Sequence, residues 1–182
     1  MNIVTSRLQL RPFTEQDIDD VFEYCSQEGV GEMAGWSIHK SIVQTKKILS
    51  DWILQGRKLA IVWYESGKVI GHISIDEDSE EGRKDTRELG CALNRTYHRQ
   101  GIMSEAIFAV LDYLFNNDVS YVWACCFQEN SASRGMIEKC GFAFQQEGTY
   151  HSKELERTFS SYEYRLSKME WEERGTRFEN YK

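Results

Sequence analysis

Apolar residues recur along the chain with two spacings, and each spacing predicts a different kind of element. Alternation of apolar and polar residues predicts a strand over 7–13 and a hairpin of two strands, 58–65 and 68–76, joined at Ser66-Gly67. Apolar residues one helical turn apart, from Ile107 to Phe115, predict a helix that begins near Ile102. The remaining predicted elements are helices over 14–26, 41–56 and 130–139 and strands over 87–94, 121–127, 142–147 and 159–166.

The predicted elements follow one another in the order βααβββαβαββ, in which strands both adjoin one another and alternate with helices. This order predicts an α/β fold with a mixed, mostly antiparallel central sheet and helices on both faces. Residues 1–166 are expected to form a single domain, since 182 residues is close to the usual domain size. Residues 167–182 form a charged tail, either a terminal helix or a mobile end, whose aromatic residues are expected to pack on the domain or to make a homodimer contact: Trp171, Phe178 and Tyr181.

The charge of the chain narrows the class of partner. Lys and Arg number 22 and Asp and Glu number 29, which gives 22 − 29 = −7. A negative net charge argues against a nucleic-acid partner and suits a cationic partner such as an amine. The longest apolar runs are far shorter than the roughly 18 residues of a membrane span, so no membrane partner is expected.

The cysteines predict neither a metal site nor a disulfide framework. There are five of them, an odd number, and no pair has the CxxC spacing. The apolar neighbours of Cys125 and Cys126 indicate reduced thiols in a core, which favours a cytoplasmic location.

Two segments carry candidate chemistry. In the first, a strand leads through a polar turn with Gly101 into a helix, and the free N–H groups at a helix start bind phosphate. Gly101 would let the backbone approach such an anion closely. In the second, Asn130 is placed to cap a short helix that ends at Gly141. Taken singly, the first segment can also be an ordinary turn and the second an ordinary capped helix.

Taken together with the start of the chain, these segments resemble the GCN5-related N-acetyltransferase (GNAT) family, and within it the Rim-type ribosomal-protein N-terminal acetyltransferases. The resemblance covers about residues 4–166. Its motifs lie in family order, and they are Thr5-Ser6-Arg7-Leu8-Gln9-Leu10-Arg11-Pro12-Phe13 with Asp17, then Glu88 to Leu93, Tyr97 to Ala106, and Asn130 to Phe142.

The resemblance implies the GNAT acyl-CoA N-acyltransferase fold, acetyl-CoA as cosubstrate, a primary amine as acceptor, and no metal. In the family, the strand before the turn holds the acetyl and pantetheine part of the cofactor, and the N–H groups of the turn hold its pyrophosphate. Of the family's turn pattern only Gly101 matches strictly, and Met103, where the family has Gly or Ala, is expected to narrow the loop. The implied cofactor-binding residues are Leu93, Arg99, Gln100, Gly101, Met103, Ser104 and Asn130.

Two residues are candidates for proton transfer. Acidic residues on the strand before the turn often act as base in the family, so Glu88 is the candidate base; alternatively, it pairs structurally with Arg83 or Arg87. Many family members protonate the departing thiolate with a Tyr, where this chain has Ile137. Ser133 is then the candidate acid, and its alternative is a helix-surface hydroxyl bonded to the backbone.

The loop over 29–39 lies where the family's acceptor site usually opens. Trp36 is either a wall of the acceptor site or an anchor of the loop, and His39 is a second substrate-binding candidate whose favoured alternative is a surface residue. His72, on a strand, is expected to be structural. The run Asp76–Glu81 is expected to be a solvated acidic loop, with attraction of a cationic acceptor as the alternative.

The sequence therefore predicts an acetyl-CoA-dependent N-acetyltransferase in which the amine attacks the thioester directly in a ternary complex. A protein N-terminal amine and a small amine both remain open as acceptors. The rival reading is a non-catalytic acyl-CoA-binding or interaction module.

Overall fold

The described part of the chain forms a single sheet of eight strands in the order β1-β2-β3-β4-β5-β6-β8-β7. The structure is a computed structural model that describes the backbone of residues 1–179 and the side chains of residues 1–174. Only the β5–β6 pair is parallel within that part of the chain. The strands are β1 Ile3–Val4, β2 Leu8–Pro12, β3 Lys58–Trp63, β4 Val69–Asp76, β5 Thr86–Leu93, β6 Tyr121–Phe127, β7 Ala143–Ser152 and β8 Arg157–Ser167.

Helices cover both faces of the sheet and pack on two separate hydrophobic clusters. The main core lies beneath α3 and α4, and the second cluster lies beneath α1 and α2. No helix in the described part of the chain has both the length and the apolar character needed to cross a bilayer. The helices are α1 Ile18–Cys25, α2 Ile42–Gln55, α3 Ile102–Phe115, α4 Ser131–Lys139 and α5 Lys168–Glu179.

The predicted fold class is confirmed, and the predicted helices and strands all appear. Two differences concern pairing across the sheet. The two-residue strand β1 was not predicted, because so short a segment shows no alternation and is held by β2. Strands β7 and β8 are longer than predicted. They pair with each other along most of their length, including polar segments that show no apolar alternation.

The charged tail begins as helix α5. The ring of Trp171 packs against Phe108 and Phe115 of α3, and its indole N–H donates to Asp112 Oδ1 over 2.9 Å. The predicted contacts of Phe178 and Tyr181 lie outside the described side chains.

A partly buried ion pair explains the spacing of the opening motif. Both terminal nitrogens of Arg11 donate to the carboxylate of Asp17, at 2.8 and 2.7 Å. The same carboxylate accepts from the backbone N–H of Thr14, which completes the predicted capping box ahead of α1. Arg11 and Asp17 thus join β2 to the helix that follows it.

Candidate active site

The parallel strands β5 and β6 separate part-way along their length. Their paired register begins at Thr86 with Tyr121 and ends at Leu89 with Ala124. Strand β5 continues for four residues to Leu93, and β6 for three residues to Phe127, without pairing to each other. The sheet therefore opens into a gap between these two strand ends.

Leu93 directs its backbone N–H toward this gap. Asn94 N–H donates to Ile70 O, so Asn94 and Ile70 form a hydrogen-bonded pair between the strands β4 and β5. Because such pairs alternate along an antiparallel ladder, the neighbouring residue Leu93 points its N–H and C=O away from β4. The C=O already accepts from His98 Nε2 at 2.9 Å, which leaves the N–H as the group available in the gap.

Helix α3 begins directly after this strand end. Its first intrahelical bond runs from Glu105 N–H to Gly101 O, so the N–H groups of residues 102–104 precede the hydrogen-bonded ladder. Gly101 has φ +73°, a left-handed conformation that glycine adopts without steric cost. Arg99 has φ +59° and bears a side chain, so the turn holds local strain of the kind that collects at functional sites.

Arg7 holds the turn and the helix start together. Its Nη1 donates to Gln100 O at 3.1 Å, and its Nε donates to Glu105 Oε2 at 2.7 Å. Arg99 makes no ion pair with any described residue and is exposed, so a cation stands free beside the helix start. The turn thus combines backbone N–H groups with one unpaired positive charge.

The side chains of three predicted cofactor-binding residues face elsewhere. Met103 is buried in the main core, so it does not narrow the loop as expected. Ser104 is also buried, and the side-chain amide of Gln100 donates to Thr96 O at 2.9 Å. These residues can therefore meet an anion chiefly through their backbone N–H groups.

Helix α4 begins on the other side of the gap, after β6. Asn130 Oδ1 caps the helix by accepting from Ser133 N–H at 3.0 Å, and Asn130 Nδ2 donates to Met33 O at 3.4 Å. The Ser133 hydroxyl makes no hydrogen bond to any described residue, so the backbone-bonded alternative for this hydroxyl is not found.

Glu88 lies on the opposite face of the sheet from α4. Leu89 belongs to the main core and Ala92 to the second cluster, so alternation places Glu88 on the side of α1 and α2. Ser79 Oγ donates to Glu88 Oε2 at 3.0 Å. Neither proposed arginine partner pairs with Glu88, because Arg83 binds Asp85 and Arg87 donates to backbone carbonyls.

Burial raises the pKa of Glu88 above its ordinary value. The Ser79 hydrogen bonds act in the other direction, while the charges of Asp76 and Asp78 raise the pKa further. A carboxylate in this setting titrates closer to neutral pH and accepts protons more readily than an exposed one.

The acidic loop is only partly solvated, which corrects the expectation for Asp76–Glu81. Asp78 is 6% exposed and accepts the N–H groups of Glu80, Glu81 and Gly82. The loop is therefore built around one buried carboxylate and presents Ser79 to Glu88.

We expect Ser79→Ala to raise the pKa of Glu88 further, because the lost hydrogen bonds stabilise the ionised carboxylate. Carbon-detected NMR titration of the Glu88 carboxyl would measure this shift. Ser50→Ala, a change on the exposed surface of α2, is the control and should leave the titration unchanged. An unaltered or lowered pKa of Glu88 in Ser79→Ala would contradict the conclusion that Ser79 stabilises the ionised Glu88 carboxylate.

The sequence model of the acetyltransferase (GNAT) domain matches residues 7–143. The chain belongs to the GNAT family. The N-acetyltransferase YoaA of Bacillus subtilis strain 168 is 30% identical over 150 residues, which are 79% of this chain and 82% of that protein. Membership of the family supports acetyl transfer from acetyl-CoA.

Solved structures confirm the GNAT fold. A GNAT acetyltransferase from Bacillus anthracis has a TM-score of 0.80 at 24% identity, covering 93% of this chain and 99% of that one. The ribosomal-protein-S5-alanine acetyltransferase of Vibrio fischeri has a TM-score of 0.73 at 16% identity, with 94% and 98% covered. The microcin C7 self-immunity acetyltransferase MccE, solved with acetyl-CoA and AMP, has a TM-score of 0.73 at 14% identity, with 90% and 93% covered.

Within this GNAT chain, the loop between α1 and α2 buries His39, against expectation, and places Trp36 as the loop anchor that was one of its two alternatives. His39 is 4% exposed, and its Nδ1 shares a hydrogen bond of 2.9 Å with Thr45 Oγ1, so it is not a surface residue. Burial lowers its pKa. Trp36 folds onto its own loop, where its ring covers Gly31 and lies 5.5 Å from the His39 ring. His72 is buried as expected, and its Nδ1 shares a 3.0 Å hydrogen bond with Tyr24 OH.

The hairpin of β7 and β8 supplies contacts that sequence reasoning missed. Ser152 Oγ donates to Gly35 O at 2.7 Å, and the ring of Tyr150 packs directly against Gly35. Ser37 Oγ donates to Glu154 Oε2 at 3.2 Å. The α1–α2 loop is therefore tied to this hairpin across the Glu88 face of the sheet. No motif signals these contacts, since each joins residues more than a hundred positions apart.

Proposed function

We propose that this protein transfers the acetyl group of acetyl-CoA directly to a primary amine in a ternary complex. The observation that carries the proposal is the gap between β5 and β6. It opens between the starts of α3 and α4, it receives the Leu93 N–H, and Glu88 lies near it without a cation partner among the described residues.

The start of α3 binds the pyrophosphate. Free N–H groups and the positive end of the helix dipole favour a dianion at this position, and the exposed Arg99 adds a point charge. The pantetheine arm then follows β5 into the gap toward Leu93. Asn130, at the start of α4, borders the arm from the other side.

Glu88 removes a proton from the acceptor. Most amines are ammonium ions near neutral pH, so a base, directly or through water, must release the lone pair that attacks the thioester carbon. A new C–N bond forms as electrons move onto the carbonyl oxygen, and the Leu93 N–H stabilises that oxyanion. The attacking nitrogen loses its extra proton to water, collapse breaks the C–S bond, and the departing thiolate takes a proton from water or from Ser133, which water then reprotonates.

The proposed role of Ser133 rests on its unused hydroxyl beside the Asn130 cap. The base and the acid then lie on opposite sides of the gap, with Glu88 on the α1–α2 side and Ser133 on the α4 side. A Ser133→Ala variant that keeps its full kcat would remove Ser133 from the mechanism and leave water as the acid.

Thermal unfolding with and without acetyl-CoA, run beside CoA release with a panel of amines, tests the proposal. A ligand present at a hundred times its Kd stabilises the fold by about 2.7 kcal/mol, which is a shift of several degrees for a chain of this size. Stabilisation together with CoA release on at least one amine is expected. Stabilisation without release on a peptide N-terminus, a diamine and an aminoglycoside would favour the non-catalytic binding module.

The fold leaves the acceptor open. The structural neighbours include one enzyme named for a ribosomal protein and one named for microcin immunity, so a common fold serves unlike acceptors. The choice between acceptors must come from the side chains on the Glu88 face.

A further inference from the structure

A second carboxylate stands on the same face of the sheet as Glu88. Glu163 of β8 pairs in register with Cys125 of β6, while the next residues on each strand, Tyr164 and Cys126, belong to the main core. Alternation therefore turns Glu163 and Cys125 toward the α1–α2 side. Cys125 belongs to β6, the strand between β5 and β8. Burial raises the pKa of its thiol, and the charges of Glu88 and Glu163 raise it further.

Glu163 is buried without a cation. Its side chain belongs to a residue only 9% exposed, and Oε1 accepts from Ser161 Oγ at 2.5 Å. Oε2 accepts no hydrogen bond from any described residue. Arg165, two residues along on the same face, is held by Glu81 at 2.6 Å and is therefore not available to Glu163.

An unpaired carboxylate in a buried position costs stability unless something compensates its charge. Burial raises the pKa of Glu163, and the charges of Glu80 and Glu88 raise it further. Glu88 and Glu163 therefore both lie on this face without an ion pair among the described residues, and their charges repel each other. A cation placed between or beside them would relieve both.

The facing strand leaves room for the Glu163 carboxylate. Gly148 of β7 lies opposite Ser161, and a Cβ at Gly148 would come within 2.6 Å of Glu163 Oε1 and 3.0 Å of Ser161 Oγ. The Glu163 carboxylate thus occupies space that any side chain at 148 would fill. The Ser161 hydrogen bond then fixes its direction and leaves Oε2 for a ligand.

The two glutamates lie on the strands that flank β6. Glu88 and Glu163 are separated by β6, so their backbones lie two strand spacings apart, roughly 10 Å, and about two residues along the strands. Tyr150, whose ring lies 5.7 Å from that of Phe127, adds an aromatic surface beside them. Aromatic faces attract cations, and carboxylates form strong hydrogen bonds to ammonium groups.

We propose that the acceptor is a diamine or polyamine and that Glu163 binds an ammonium group of the substrate other than the one that reacts. Glu88 accepts the proton of the reacting amine, and Glu163 determines specificity by holding the distal charge. This inference rests on the proposed acetyl transfer and extends it by naming the acceptor class.

The test compares diaminobutane, with an amine at each end, against aminobutane, which has the same chain and one amine. The measured quantity is the ratio of their kcat/KM values in CoA release. The wild-type ratio is expected to be about tenfold or higher, since hydrogen bonds to charged groups are worth that much. Glu163→Gln should reduce the ratio to near one, mainly by raising KM for the diamine. Glu147→Gln, which removes the same charge from an exposed position of β7, is the matched control and should keep the wild-type ratio.

A wild-type ratio near one would overturn the inference, as would an equal loss of ratio in Glu163→Gln and Glu147→Gln. Turnover of a peptide N-terminus with none of either amine would overturn it while leaving acetyl transfer intact. Acetyl-CoA stabilisation of Glu163→Gln shows that this variant is folded. Absence of CoA release with every amine and peptide would instead overturn the proposed function itself, and this inference with it.

Discussion

Glu88→Gln should lower kcat/KM by about 10²–10³-fold, the usual contribution of a general base. The amide keeps the size of the side chain but cannot accept the proton of an ammonium ion. The acidic limb of the pH–rate profile should also disappear, because that limb reports the protonation of Glu88. Steady-state CoA release across the neutral pH range measures both effects.

The same variant should be more stable than the wild type above the pKa of Glu88. Because folding raises that pKa, the folded state binds more protons than the unfolded state. The wild type therefore loses stability as pH rises through the interval between the unfolded and folded values. Glu88→Gln has no such loss, so its advantage in melting temperature should be larger at alkaline pH than at acidic pH.

Glu77→Gln is the matched control for this pair of measurements. Glu77 is an exposed neighbour in the acidic loop, and the substitution removes the same charge. It should leave the rate and the pH profile near their wild-type values. If Glu88→Gln and Glu77→Gln behaved alike, the proton would have to leave through another group, and the structure would have no base at this position.

Gly71→Ala should be the most destabilising of the small substitutions near the gap, costing about 3 kcal/mol. Gly71 of β4 faces Leu93 of β5, and a Cβ there would collide with the carbonyl oxygen of Ala92 and lie 3.0 Å from Leu93 Cα. These are backbone atoms that cannot turn aside, so the end of β5 must move. Urea unfolding measures the loss of stability, and a raised KM for acetyl-CoA would report the displacement of Leu93.

Gly135→Ala, the same chemical change, is expected to raise the stability of the fold instead of lowering it. Gly135 lies inside α4, and a Cβ there meets no atom within 4 Å, so alanine should stabilise by about 0.5–1 kcal/mol through its helix propensity. If Gly71→Ala lowered the free energy of unfolding by no more than about 0.5 kcal/mol, ordinary strand propensity would account for the loss. The close approach of β4 to β5 would then contribute nothing to it.

Elements governed by neighbours in sequence were predicted well. Ser41 accepts from the N–H of Gln44 at the start of α2, and Gly56 ends that helix with φ +65°, both as the residue types indicate. The apolar stripe from Ile107 to Phe115 likewise becomes the buried side of α3. Capping and periodicity act over a few residues, so the sequence carries the whole of their physical cause.

Burial of polar side chains was not predicted, even where the partners are close in sequence. His39 looked like a loop residue on the surface, but Thr45 of α2 and the ring of Trp36 pack against it and it is buried. Asp78 looked like one of several solvated acids, but its own loop folds around it. Burial depends on what packs over a residue, and the spacing of residues along the chain does not record that.

The family, the turn around Gly101 ahead of a helix, and Glu88 as a candidate base were all accessible from the sequence, because they depend on motifs and on local helix and strand formation. The three-dimensional arrangement was needed to see that Glu88 bonds to Ser79 and pairs with no arginine of the described chain, and that Glu163 and Gly148 reach the same face from the far end of the chain. The reason is that β8 inserts between β6 and β7 in the sheet. That order is set by packing across the whole domain, and it brings together charges that lie 75 residues apart.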